Sequence, residues 1–400
     1  MRNRITVTIF ILYILVFAAG SIIAKDRIFS DMENRNLAQF PEVSPKSVFS
    51  GDFSDGFEEY MSDKIIFKDF LVKLKVTENK ALNQTYVNNI YFADGRYIRD
   101  YKENTAQIDR NVGFVNEFAE ANQDFNITWL MVPNACYVYE DSLPSYADVD
   151  SQAATIGHIN DKVSDRIDFV DVSDELVSAK DEYIYYKTDH HWTMNGAYIG
   201  YKKLCEALGR EPVEKDNYKT EVAREDFLGT LYSDAPVFNA DTDEIILYVN
   251  ENNSYTVDYI DKGFKQDSLY NYEKLDIKDK YQVYLDGNHA IIRVKNNSYD
   301  DTNKDNNKDD DSESNSIAEI DSEASDNITS ANRVIVVKDS YAHSLLPLLA
   351  DNYEEIIVVD LRYYHEKTVS ELAHEEGISD IIFINNVDFI NSDDNFLWLM

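Results

Sequence analysis

The stretch YYKTDHHWTMNGAY, residues 185–198, sets Asp189, His190, His191 and Trp192 side by side in a chain of 400 residues with only seven histidines. On an extended segment Asp189 and His191 lean to the same side, roughly 6–7 Å apart at Cα, while His190 faces the other way. A carboxylate so placed can hold one ring nitrogen of the imidazole, fix its tautomer and stabilise the imidazolium, which is the orienting half of a nucleophile–histidine–aspartate triad. The competing reading is that Asp189 caps a turn and both histidines are structural. A nucleophile is available in RVIVVKDSYAHSLLPLLA, where Ser340 follows an apolar strand and precedes a helix. There its hydroxyl stands at the carboxyl edge of a sheet, near N–H groups able to hold an oxyanion. Asp-Ser in that position is also an ordinary helix cap.

The elements that must position these residues follow from hydrophobic periodicity. The run ITWLMVPNA reads as a strand buried on both faces, and RIDFVDV, RVIVV, EIIVVDL and DIIFINN read as further strands. Helices are expected near 104–122, across AHSLLPLLADN and near 366–376. The helix after DHHW is expected to be capped by Thr193 and stopped by Gly209. YIYYKTDHHW itself reads as a strand leading into that helix. This alternation is the rhythm of a mainly parallel sheet with helices on both faces. Residues 213–295 instead carry alternating runs such as EIILYV and YTVDYI, a β-rich insertion. Residues 297–330 hold eleven acidic residues against two lysines, which predicts an unstructured loop within the 213–330 insertion. The catalytic unit is thus expected over 101–400.

Before it, Arg2 and Arg4 precede an uncharged run from Ile5 to Ala24, about 30 Å long as a helix and able to span a bilayer. The arginines place the N-terminus in the cytoplasm and all beyond Lys25 outside. A cleaved signal peptide is the alternative, with 1–24 as signal-anchor preferred on length. Residues 25–100 form a juxtamembrane segment, with Phe53, Phe57, Tyr60 and Met61 at helical spacing and a hairpin in NNIYFADGRYI turning at Asp94-Gly95. The formal charge of −36 repels nucleic-acid phosphates, which argues against nucleic acid as a partner. Cys136 and Cys205 can pair in an oxidising compartment or remain buried thiols.

Together, TDHHWTMNGAY, VVKDSYAHSLLPLLA, EEIIVVDLRYY and ENRNLAQFP resemble the DHHW family, relatives of the alginate O-acetyltransferases with SGNH-hydrolase-like domains. The resemblance implies a three-layer αβα fold with permuted motif order, serine last, and a triad of Ser340, His191 and Asp189. It also implies an extracytoplasmic O-acetyltransferase acting on a cell-surface or secreted polysaccharide, with no cofactor or metal. A polytopic membrane O-acyltransferase is the implied acetyl donor, docking at the N-terminal helix and the 25–70 segment. Two features depart from the family pattern: His190 fills the place between Asp and His, and no separate carbohydrate-binding module follows. Asn288 in a Gly-Asn turn is a candidate oxyanion donor, and Arg362 and Tyr363, just past a strand end, are candidate substrate contacts. Tyr364 lies beside them. The 28 tyrosines fit either sugar stacking or a tyrosine-rich core.

An esterase with the same triad and water as acceptor fits the same residues, as does a non-catalytic glycan-binding or assembly factor. A metal-dependent phosphoesterase built on Asp-His-His is a further alternative, but His158, His289, His343, His365 and His374 are scattered without a partner motif.

Overall fold

The computed structural model describes residues 2–299 and 332–400. The greater part of the expected acidic loop, 300–330, lies outside them. The chain divides into two compact units: a smaller one of Met1–Asp100, Lys187–His190 and Asp226–Asp243, and a larger one holding the rest.

The smaller unit begins with the helix Arg2–Ile23, of which Arg4–Ile23 is long and apolar enough to cross a membrane, with a mean hydropathy of 2.4. The expected aromatic stripe lies on the helix Asp52–Asp63, where Phe53, Phe57 and Tyr60 meet Phe40 with ring centroids 6.3, 6.1 and 5.5 Å away. Strands Ile90–Ala93 and Arg96–Arg99 pair antiparallel around Asp94 and Gly95, both at positive φ (46° and 75°), as a tight hairpin requires. Their apolar residues Ile90, Phe92 and Tyr97 bury against Val76 of the helix Lys68–Ala81 and against Leu231 and Tyr232.

The larger unit is a three-layer αβα sandwich. Its elements are α1 (Thr105–Ala121), β1 (Asn126–Val132), α2 (Gln152–Lys162), β2 (Ile167–Asp171), α3 (Met194–Ala207), β3 (Tyr255–Tyr259) and β4 (Phe264–Gln266). They continue as β5 (Ile291–Asn296), β6 (Arg333–Lys338), α4 (Ala342–Leu349), β7 (Glu355–Val359), α5 (Val369–Glu376) and β8 (Asp380–Asn386). The eight strands form one sheet in the order β4-β3-β5-β7-β6-β8-β1-β2. The five strands from β7 to β2 are parallel; β5, β3 and β4 add on antiparallel at the β7 side. The parallel strands are the continuous apolar runs, because both their faces are covered, and Val334–Val337 and Ile381–Ile384 are almost wholly buried. The β-rich segment contributes β3, β4 and β5 to this same sheet, with Ile291 opposite Val359.

α3 is capped by the Thr193 hydroxyl and followed by Gly209 at φ 64°. One expectation is corrected: YIYYKTDHHW is not a sheet strand. Among the described residues its only pairing in ladder fashion is the isolated bridge Tyr185↔Trp192, closed by Tyr186 N–H donating to the His191 carbonyl (3.2 Å) and Thr193 N–H to that of Ile184 (2.9 Å). The two cysteines are buried and not joined in a disulfide.

Candidate active site

The parallel strands end together, and in α/β sheets that carboxyl edge is where ligands bind. Lys338, the last residue of β6, pairs with Ile384 of β8, and Asn386 at the end of β8 pairs with Val132 of β1. Ser340 sits in the turn between β6 and α4. The carboxylate of Asp339, just before it, fixes this turn by accepting from the N–H groups of Tyr341 (2.8 Å) and Asn386 (2.6 Å). Burial raises the Asp339 pKa, and these two N–H donors oppose that rise.

The larger unit brings His191 and Ser340, 149 residues apart, into contact: His191 Nε2 lies 2.8 Å from Ser340 Oγ. His191 is buried, and Ser340 is partly exposed. Trp192 makes the parallel connection one residue on, its indole N–H donating to the Tyr341 carbonyl at 2.8 Å. The indole is fully buried against Gly200 of α3, where an added Cβ would lie 2.7 Å from the ring, so that a glycine is needed there. The tryptophan of the motif therefore anchors the histidine loop to the serine turn.

The other face of the imidazole is covered by Tyr281, whose ring stacks on it with centroids 3.9 Å apart and planes 8° apart. The Tyr281 hydroxyl lies 3.2 Å from the Ser340 carbonyl, to which it donates, and 3.1 Å from Ser344 Oγ. Behind Tyr281 stands His343, which burial pushes well below the usual imidazole range with the nearby Lys338 charge acting the same way. The neutral His343 Nε2 accepts from Lys338 Nζ at 2.8 Å, and Lys338 also donates to Asp360 at 2.7 Å. Burial disfavours the Asp360 carboxylate, but Lys338 and Arg362 outweigh it and hold its pKa below the ordinary value.

Arg362 grips Asp360 through Nε (2.9 Å) and Nη2 (2.7 Å), and its Nη2 also donates to the Asn288 side-chain carbonyl at 3.2 Å. Asn288 is exposed, as is Tyr363, whereas Tyr364 is buried. So the sequence-derived residues fall into two sets in this unit, Ser340 with His191 and Asn288 with Arg362. Most of the tyrosines are buried, as a tyrosine-rich core requires.

Asp189 and His190 belong to the smaller unit. The Asp189 side chain is buried and its Oδ2 accepts from the Thr230 N–H (2.8 Å) and hydroxyl (3.0 Å). His190 Nδ1 lies 2.7 Å from the same hydroxyl. Gly229 packs so closely that an added Cβ would lie 2.3 Å from the Asp189 Cβ. Thr188 and Lys187 are held by Asp243, which accepts from both N–H groups at 2.7 and 2.8 Å.

Tyr281 and Lys338 escaped the sequence reading, and His343 was read only as one of the scattered histidines. A lysine closing an apolar strand, two residues before the serine, and a histidine three after it were visible signals. Tyr281 carried none.

Residues 92–251 match the family model described as ALGX, the SGNH hydrolase-like domain of acetyltransferase AlgX. No curated protein matches the chain. A solved DHHW family protein from Eubacterium siraeum is 23% identical, covering 78% of this chain and 95% of that one with a TM-score of 0.60. Bacillus cereus PatB1, solved with a sulfonyl adduct, is 19% identical over 78% of this chain and 98% of its own, also at 0.60. The chain is similar to the DHHW family and to the alginate acetyltransferases, and its larger unit carries the SGNH-hydrolase-like fold.

Proposed function

We propose that the protein is a serine-dependent O-acetyltransferase that acts outside the cytoplasmic membrane on a cell-surface or secreted polysaccharide. The observation that carries this reading is the 2.8 Å contact of His191 Nε2 with Ser340 Oγ at the carboxyl edge of the parallel sheet. The acetyltransferase description of the matched family model selects acyl transfer among the reactions such a pair can run.

In the first half-reaction Ser340 Oγ attacks the carbonyl carbon of an acetyl donor while His191 Nε2 takes the hydroxyl proton. Asp189, two residues earlier in the chain, orients the imidazole and stabilises its charged form. The Ser340 N–H is the donor for the oxyanion. Collapse of the tetrahedral intermediate expels the donor's leaving group, which receives the proton from His191, and leaves acetyl-Ser340. In the second half-reaction a sugar hydroxyl loses its proton to His191 and attacks the acetyl carbonyl; the bond from the acetyl carbon to Ser340 Oγ then breaks, and His191 returns the proton to Oγ, restoring Ser340. Asn288, its carbonyl held by Arg362, offers its amide to the substrate, and the exposed Tyr363 ring offers a sugar platform. The helix Arg4–Ile23 anchors the chain, with Arg2 and Arg4 on the cytoplasmic side. Acetyl-CoA is confined to that side, so the acetyl group is delivered by a polytopic membrane acyltransferase.

The test is mass spectrometry of the chain after incubation with an activated acetyl ester, and in parallel with a sulfonyl reagent. Acetyl and sulfonyl adducts on Ser340, absent from Ser340→Ala and His191→Ala and retained in His190→Ala, are expected. Turnover without a Ser340 adduct, or equal damage from His190→Ala, would overturn the assignment and favour a metal-dependent reaction.

A further inference from the structure

We propose that the turn Ile65–Phe67, with Phe70 in the first turn of the helix Lys68–Ala81, is a second membrane contact, whose apolar side chains insert beside the N-terminal helix into the boundary between lipid headgroups and acyl chains. This inference rests on the reading of Arg4–Ile23 as a membrane span.

The argument is one of depth. Twenty helical residues rise about 30 Å, the thickness of the hydrocarbon layer, so the last turn of Arg4–Ile23 lies at the far boundary of that layer. The turn is fastened to that last helical turn. The Ile66 N–H donates to Ser21 Oγ at 3.2 Å, and the Ile66 side chain packs on the bare backbone of Gly20, where an added Cβ would lie 2.5 Å from its Cδ1. Gly20 and Ser21 stand three and two residues before Ile23, so Ile66 sits at or just inside the boundary. Its neighbours Ile65, Phe67 and Phe70 are exposed, Phe67 by 69%. Phe67 also holds a left-handed backbone at φ 59°, uncommon for a bulky residue, and in this conformation the ring stays uncovered by protein.

Charged residues form the adjoining layer. Lys64 pairs with Asp26, Arg27 with Asp69, and Asp63 accepts from Arg35 and Lys68. An apolar tip at the level of the helix end, backed by paired charges, is the pattern of a side-chain set that enters the interface and stops at the headgroups. Because these charges are mutually paired, the occupant is the apolar boundary of a bilayer rather than an anionic headgroup.

The test uses the full chain reconstituted in phosphatidylcholine vesicles, with spin labels at Phe67→Cys, at Ile11→Cys in mid-helix and at Phe49→Cys, which is 91% exposed elsewhere in the unit. The native thiols, Cys136 and Cys205, are buried. Labels at 67 and 11 are expected to be relaxed by oxygen and shielded from a nickel chelate, and the label at 49 to show the reverse. A nickel-accessible label at 67 with a lipid-embedded label at 11 overturns the proposal and leaves the span intact. A nickel-accessible label at 11 overturns the span and the proposal with it. Shielding of 67 from both relaxants means that protein covers the turn, and overturns the proposal in favour of a docking surface. Phe67→Ser and Ile65→Ser labelled at Phe70→Cys provide the independent check: the label is expected to move toward the water phase, and no movement counts against insertion.

Discussion

Replacing Tyr281 by leucine isolates what the stacked ring contributes to the proposed chemistry. The ring lies flat on His191, 3.9 Å between centroids and 8° between planes, and His191 is buried. In the proposed chemistry the imidazole gains positive charge as it takes the Ser340 proton. A positive group over an aromatic face gains about 0.5–1 kcal/mol when exposed and about 2 kcal/mol when desolvated. At this burial the gain is taken as about 1–2 kcal/mol, and at about 1.4 kcal/mol per factor of ten Tyr281→Leu should lower kcat roughly 5–30-fold. Because the stack strengthens only as charge develops, KM for a small activated acetyl ester should hold while kcat and kcat/KM fall together. Tyr281→Phe keeps the ring and removes only the hydroxyl next to the Ser340 carbonyl and Ser344, so its kcat should stay closer to that of the parent. Steady-state hydrolysis by the detergent-solubilised chain, with thermal unfolding to verify the fold, measures all three proteins. The reasoning fails if folded Tyr281→Leu retains full kcat, if the loss is in KM alone, or if Phe is as damaging as Leu.

Gly229→Ala places a methyl group 2.3 Å from the Asp189 Cβ, and a displacement of the order of 1 Å in an orienting carboxylate is expected to cost about 100-fold in kcat with a modest change in melting temperature; unchanged ester turnover would separate Asp189 from the reaction. Burial of Asp63 raises its pKa, but Arg35, Lys68 and the Ala38 N–H outweigh burial and hold the carboxyl well below its usual range. A depressed folded value contributes stability above the unfolded pKa of about 3.9 that is lost as pH falls. Asp63→Asn should therefore destabilise the chain at neutral pH by denaturant titration, with the gap narrowing progressively below about pH 4. Burial pushes the Cys205 thiol up to about 12, so iodoacetamide at pH 8 should leave it unmodified until the chain is unfolded, as peptide mapping will register.

Much of the larger unit was legible because its parallel strands are covered on both faces and so appear as unbroken apolar runs, of which RVIVV and DIIFINN are the clearest. The Thr193 cap, the Gly209 stop and the Asp94-Gly95 turn were legible because each depends on a short-range backbone requirement. The DHHW stretch misled as a strand. Its tyrosines have strand-forming character, but the ladder stops at Tyr185↔Trp192 and the N–H groups of Lys187 and Thr188 go to the Asp243 carboxylate, more than fifty residues later. Pattern cannot reveal such a partner. For the same reason the β-rich segment gave no sign that Ile291 would align with Val359, and Tyr281, one tyrosine among 28, gave none that it would lie on His191. That Ser340 and His191 meet was legible because each lies at the end of a local motif beside the sheet edge, and Lys338 was overlooked because a strand of valines hides its charge.

The strand order also dictates a schedule for assembly. In β4-β3-β5-β7-β6-β8-β1-β2 the three strands synthesised last, β6, β7 and β8, occupy the middle of the sheet. A chain delivered from its N-terminus first can pair β1 with β2, and β3 with β4 and β5, but these two fragments have no means of joining until residues beyond 333 arrive. Until then β1 and β5 each present an open row of backbone groups, and the final parallel pairing bridges residues as far apart as Asn126 and Asp380. Such long-range closure is slow, and open strand edges invite association between nascent chains. The acidity of the chain opposes that association, because incomplete copies already carry a net negative charge and repel one another while the central strands are awaited. The acidity thus has a structural consequence as well, keeping half-built sheets apart until the central strands arrive.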